Sequence, residues 1–284
     1  MRFFLLAAAQ VWEPAGPARL EPALREAVTL QEKETGPQSA AYAEACSQFA
    51  RFLSSSDRAA EAGEWFRRAL AIRESAGDLE SLAVLGPPDA LASMKRAVEL
   101  RGKGAAPAAE LVRALRRYGD MLETSGDAAG AEAAYRQAIA AGEKIQGPDF
   151  GVACNDLGLL LENREDMRGA EQFYRRALAA LEKAHGPKHP EVGSTLNNLA
   201  GAVGAQGRLA EAEVYLRRAV STLESTVGGV HPRTAMAAAN FGDLLTARGR
   251  PAEARGHYER AASAYDKLGD ARAAQDVRSR IEAK

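Results

Sequence analysis

Cysteine is nearly absent: Cys46 and Cys154 are the only two in 284 residues. Two cysteines make neither a disulfide framework nor a four-ligand metal site. Each stands three residues before an equivalent apolar residue, Phe49 and Leu157, so the pair belongs to distant repeats and is expected as two buried free thiols. Aromatics are also scarce, at 6%. Neither charge dominates: 37 Lys and Arg face 38 Asp and Glu, without a long run of one sign. A nucleic-acid interface needs a clear basic excess on some face, so nucleic acid is not an expected partner. No apolar stretch is long enough to span a membrane. Nucleotide-binding glycine loops and Gly-x-Ser-x-Gly are missing too, and no carboxylates stand out as an acid/base pair, so no catalytic residue, cofactor or enzyme activity is expected.

Alanine is plentiful, and it is placed with a period. Ala27, Ala69, Ala97, Ala138, Ala177, Ala219 and Ala261 are spaced by 42, 28, 41, 39, 42 and 42 residues. Three positions before each stands a bulkier apolar residue: Leu24, Phe66, Met94, Tyr135, Tyr174, Leu216 and Tyr258. Four positions earlier still come Leu20, Ala62, Ala90, Ala131, Ala170, Ala212 and Ala254. Offsets of three, four and seven put all three residues on one helical face. A second stripe precedes this one, as in Leu196, Leu199, Ala200 and Val203. Between the two stripes lie turns such as Ser125-Gly126-Asp127 and Gln206-Gly207-Arg208. Glycine there supplies the left-handed residue that ends a helix, and Asp caps the next one. Gly-Pro and His-Pro stop the chain between units.

Each unit is thus a pair of antiparallel helices with an apolar face that it buries only by stacking on a neighbour. The expected fold class is all-α: one α-solenoid over residues 1–284, with pairs at about 1–33, 39–76, 78–101, 109–146, 150–185, 191–227 and 233–268. The third pair is degenerate, broken by Gly86-Pro87-Pro88, and residues 102–107 form the loosest linker. Residues 270–283 suit a terminal capping helix, with Ala274, Val277 and Ile281 apolar. Residues 1–9 read as part of the first repeat helix, which suits a cytoplasmic protein; the alternative is a short export signal ending in Ala7-Ala8-Ala9.

The Leu-Gly or Leu-Ala pair, the later Ala, the aromatic and the Ala three beyond it resemble the tetratricopeptide repeat. The 42-residue spacing, Leu196-Asn197-Asn198-Leu199-Ala200 and the loops at 186–190 and 228–232 resemble the kinesin light chain subclass, over about residues 147–268. Gly147-Pro148-Asp149-Phe150 lacks three residues of that loop. The resemblance implies a right-handed superhelix whose concave face holds an extended peptide or a partner helix. It also implies that the first Asn of the Asn-Asn pair lines the groove and bonds the ligand backbone. Asn155 and Asn197 match that position, while Ala239 does not and should cut an Asn ladder short.

Helical geometry extends the same face to Arg116, Asp120 and Glu123, to Leu159 and Glu162, and to Asp243, with Arg113 alongside. The expected peptide-binding groove is therefore Asn155, Asn197, Arg113, Arg116, Asp120, Glu123, Glu162 and Asp243. The two asparagines should be exposed, and a helix-bracing role is their alternative. His185 and His189 stand four apart, but Gly186-Pro187 removes the helix that would align them. His189 and His231 are repeat-equivalent loop residues, so no metal site is expected. The resulting reading is a non-enzymatic scaffold for protein or peptide partners. Its rival is a regulatory module of a larger or multi-chain enzyme or signalling system. The sequence does not speak to oligomeric state.

Overall fold

A computed structural model describes residues 17–56, 58–75 and 107–282, with positions 91, 94, 95, 98, 99 and 102 between them. The chain forms two compact units, residues 1–105 and 106–284. Every regular element among the described residues is helical. In the first unit these are α1 (Pro17–Thr35), α2 (Ala40–Ser55) and α3 (Ala59–Ser75). The second unit holds α4 (Ala108–Thr124), α5 (Ala128–Gly142), α6 (Pro148–Asn163), α7 (Met167–His185), α8 (Pro190–Ala205), α9 (Leu209–Thr226), α10 (Pro232–Ala247), α11 (Pro251–Lys267) and α12 (Ala271–Glu282). Residues 1–9, expected as part of the first repeat helix with an export signal as the alternative, and most of the degenerate pair at 78–101 lie outside the described residues.

The periodic alanines explain how the helices approach. Ala69, Ala138, Ala177, Ala219 and Ala261 are all fully buried, as are Phe66, Tyr135, Tyr174, Leu216 and Tyr258 three positions before them. A methyl group at the closest point lets two helix axes draw together while the larger residue fills the space beside it. Ala27 departs from this pattern. It is exposed, Leu20 is exposed too, and Val28 is the buried residue of α1. Among the described residues the helix that α1 packs on most closely is α2, against which the face carrying Val28 is buried.

Pairs in the second unit repeat one junction and one turn. Gly147, His189 and His231 are N-caps, followed by Pro148, Pro190 and Pro232 at the first helical turn, where a missing N–H does no harm. Both histidines cap through the ring: His189 Nδ1 accepts the Glu191 backbone N–H at 3.3 Å, and His231 Nδ1 accepts that of Arg233 at 3.1 Å. At the turn inside each pair, Gly126, Gly207 and Gly249 adopt φ of +87°, +82° and +74°. Glu165 occupies the same place after α6 with φ 64° and no glycine to relieve it.

Neighbouring pairs are also tied by charge. Glu132, Glu171 and Glu213 recur on the second helices and reach arginines at the next turn. Glu171 and Glu213 meet Arg208 and Arg250, the latter at 2.8 Å, and Glu132 meets Arg164. In the first unit Glu21 meets Arg58 at 2.8 Å in the same way. Glu213 is only 7% exposed and is also held by Arg217 and Arg248. Both thiols are free and buried, as expected, and burial pushes Cys154 up to about 12.

Candidate functional site

The first helices of the second unit, α4, α6, α8 and α10, lie side by side. Their shared face carries three contacts of one kind. In each, a residue at the first of two adjacent positions reaches the second position one repeat on. Asn198 Nδ2 donates to Asn155 Oδ1 at 3.2 Å, and Asn240 Nδ2 donates to Asn197 Oδ1 at 3.0 Å. Arg116 and Asp156 occupy the equivalent places between α4 and α6, 3.6 Å apart. Asn197 Nδ2 donates to Asn198 Oδ1 at 3.3 Å and links the two asparagine contacts.

The amides therefore form a continuous chain from Asn155 to Asn240. It does not stop at Ala239, because the second position carries it forward. Asn197 is correspondingly buried, at 5% exposure, and Asn155 is half-buried. The expectation of exposed asparagines is thus corrected for Asn197: its side chain has two partners within the protein, so it braces the stack whatever else it does.

Next to this chain opens a cavity of about 510 Å³. Asn155, Asn197, Asn198 and Asn240 line it, with Asp156, Glu162, Glu191 and Arg233 among the charged residues. Leu159 and Met236 supply apolar surface and remain 39% and 41% exposed. An amide offers donors and acceptors at once, and each of these four has capacity beyond the bonds above. Of the residues expected at the groove, the structure brings Asn155, Asn197 and Glu162 into this cavity.

The others stand elsewhere on the unit. Arg113 pairs with Asp149 at 3.2 Å, and Arg116 pairs with Asp120 at 3.1 Å. Asp120 and Glu123 also accept the Tyr135 hydroxyl, at 2.9 and 3.1 Å. Asp243 accepts the Tyr258 hydroxyl at 2.8 Å and pairs with Arg280 of α12 at 2.6 Å. These charges are anchored within the fold rather than simply solvated.

Asp156 was not among the expected site residues. Burial, reinforced by the nearby Asp120 carboxylate, pushes its carboxyl up to about 7. Arg116 opposes the shift without cancelling it. Its guanidinium bonds Asp120 and stands beyond hydrogen-bond reach of Asp156, whose buried Oδ2 has no hydrogen-bond partner. The clue in the sequence was positional: Asp156 occupies the place of Asn198 and Asn240.

The histidine loop also differs from expectation. His185 ends α7, and the chain turns at Gly186, φ +80°, so that the His185 and His189 rings stack with centroids 4.1 Å apart. The two breakers bring the rings together rather than apart.

These features define a solenoid of helical repeats whose first helices carry a polar, concave site. The tetratricopeptide repeat model matches residues 151–225 and 200–267. Residues 151–267 are thus tetratricopeptide repeats, a class of interaction scaffold, and the likeness of solved structures extends the same fold over most of the chain. Among solved structures it is similar to BtubC (BKLC) from P. vanneervenii, at 17% identity over 87% of this chain and 92% of that one, TM-score 0.59. A kinesin light chain candidate of nearly identical repeats from Podosopora anserina is 16% identical over 72% of this chain and 94% of that one, TM-score 0.53. A Rap protein complexed with Competence and Sporulation Factor is 14% identical over 90% of this chain and 67% of that one, TM-score 0.56. These likenesses concern the fold. No curated protein matches the sequence.

Proposed function

We propose that the second unit holds an extended peptide in the cavity between α6, α8 and α10. The observation that carries this reading is the coincidence, in one cavity, of the amide chain with the exposed apolar side chains Leu159 and Met236. Backbone groups of an extended segment pair with the amides, and its alternate side chains seat on the two apolar residues. The lining holds Asp156, Glu162 and Glu191 against the single Arg233, so basic side chains in the ligand are favoured. A Rap protein of similar fold is complexed with Competence and Sporulation Factor, which supports a solenoid of this kind holding a bound partner. The test is selection from a random peptide library on the immobilised full chain. Enrichment of segments with basic and apolar residues supports the proposal. No enrichment, or enrichment of acidic segments, overturns it.

A further inference from the structure

We propose that His185, His189 and Glu191 form a binding site for a first-row divalent cation of the zinc type, at the rim of the groove. One donor atom from each residue lies within 4.8 Å of the other two. His185 Nε2 stands 3.6 Å from Glu191 Oε2, and His189 Nδ1 stands 3.9 Å from the same oxygen. Donors on a tetrahedral ion with bonds of ~2.0–2.1 Å stand about 3.4 Å apart, so both imidazole–carboxylate spacings are already close to that of a bound ion, and rotation of the two stacked rings about their side-chain bonds aims both nitrogens at it. Two imidazoles and one carboxylate are the donor set of open zinc sites, where a fourth position stays with water or a ligand. All three side chains are partly exposed, which provides an approach path.

Repeat structure accounts for only one of the three residues. The equivalent loop 42 residues on keeps His231 as the N-cap of α10, in the role of His189. There, however, Val227 stands where His185 is, and Arg233 where Glu191 is. The histidine cap is thus common to both loops, while the second imidazole and the carboxylate are particular to this one. His189 Nδ1 currently accepts a backbone N–H at 3.3 Å, a long bond that an ion displaces at little loss. Because Glu191 also lines the cavity, a bound ion places a positive charge beside the groove.

The test is titration of the full chain with Co2+, followed by visible ligand-field absorption and by calorimetry, with Zn2+ competition. One equivalent should bind with absorption bands of low-coordinate cobalt, and Zn2+ should abolish them. His185→Ala and Glu191→Gln should each weaken binding at least ~10-fold, with the metal-free melting point unchanged. His231→Ala should leave binding intact. Absence of the bands, binding that survives both His185→Ala and Glu191→Gln, or binding lost with His231→Ala overturns the proposal.

Discussion

The Tyr174 hydroxyl donates to Glu162 Oε2 at 2.6 Å, crossing the first helix of its repeat at Gly158. A Cβ at Gly158 would stand 2.5 Å from Cε1 of the ring. The same ring-over-glycine contact recurs at Tyr135 with Gly119 and at Tyr258 with Gly242, whose hydroxyls reach Asp120 and Asp243, one residue after the glycine and not four as at Glu162. Where the aromatic hydroxyl is missing, the other members change with it. Leu216 faces Ala200, with Gly201 and Gly204 at the acidic positions, and Phe66 faces Ala50, with Arg51 and Ser54 there. The hydroxyl's bond to a carboxylate holds the ring close over the first helix, where only glycine leaves room for it; a side chain without that bond is accompanied by alanine.

Gly158→Ala should therefore destabilise the second unit by about 1–3 kcal/mol, through overpacking against Tyr174. Combined with Tyr174→Leu, which recreates the Ala200 and Leu216 pairing, the loss should fall short of the sum of the two single losses. Urea unfolding of the four proteins measures this coupling, and strict additivity would refute the steric account.

Asp156→Asn should stabilise the protein at high pH. The carboxyl has a folded value of about 7 against ~3.9 unfolded, so folding favours its protonated form. Its contribution is fully present below pH ~4 and is lost as the pH rises to 7. At pH 8 the amide variant should be more stable by about 1–3 kcal/mol, and near pH 4 the two should converge. Thermal melts across this range decide the matter. A variant less stable at pH 8 would mean that Arg116 compensates the buried charge.

Glu165→Gly should raise stability by about 0.5–1 kcal/mol. The residue holds φ 64°, where its repeat equivalents Gly126 and Gly207 carry no Cβ, and relief of that strain exceeds the added freedom of the unfolded chain. A shift of the denaturant midpoint upward, with the slope unchanged, is the expected result.

The helices and buried anchors were legible because one spacing repeats, and Ala138, Ala177 and Ala219 show it most clearly. Ala27 was misleading: period alone does not reveal which face of a helix its neighbours cover. Asn155 and Asn197 were legible as a recurring pair of positions, but not as members of a chain. Their partners, Asn198 and Asn240, sit at the adjacent position one repeat later, a contact that a single-helix face does not display. His185 and His189 were separated in the sequence by residues that break helices. Their stacking depends on the path of the loop, which spacing does not encode.

The groove itself is tested most directly at Gly201. It is exposed in the middle of α8, and an added Cβ would meet only Glu162 Oε1, at 3.6 Å. Gly201→Leu should keep the fold and gain about 0.5–1 kcal/mol in stability, because a mid-helix glycine is unfavourable. Its side chain enters the cavity beside Asn155 and Leu159. Calorimetric affinity for a library-selected peptide, measured on the wild type and on this variant, should fall at least ~10-fold, with the melting point unchanged or raised. Undiminished affinity in the folded variant would contradict the proposal that the peptide lies along these first helices.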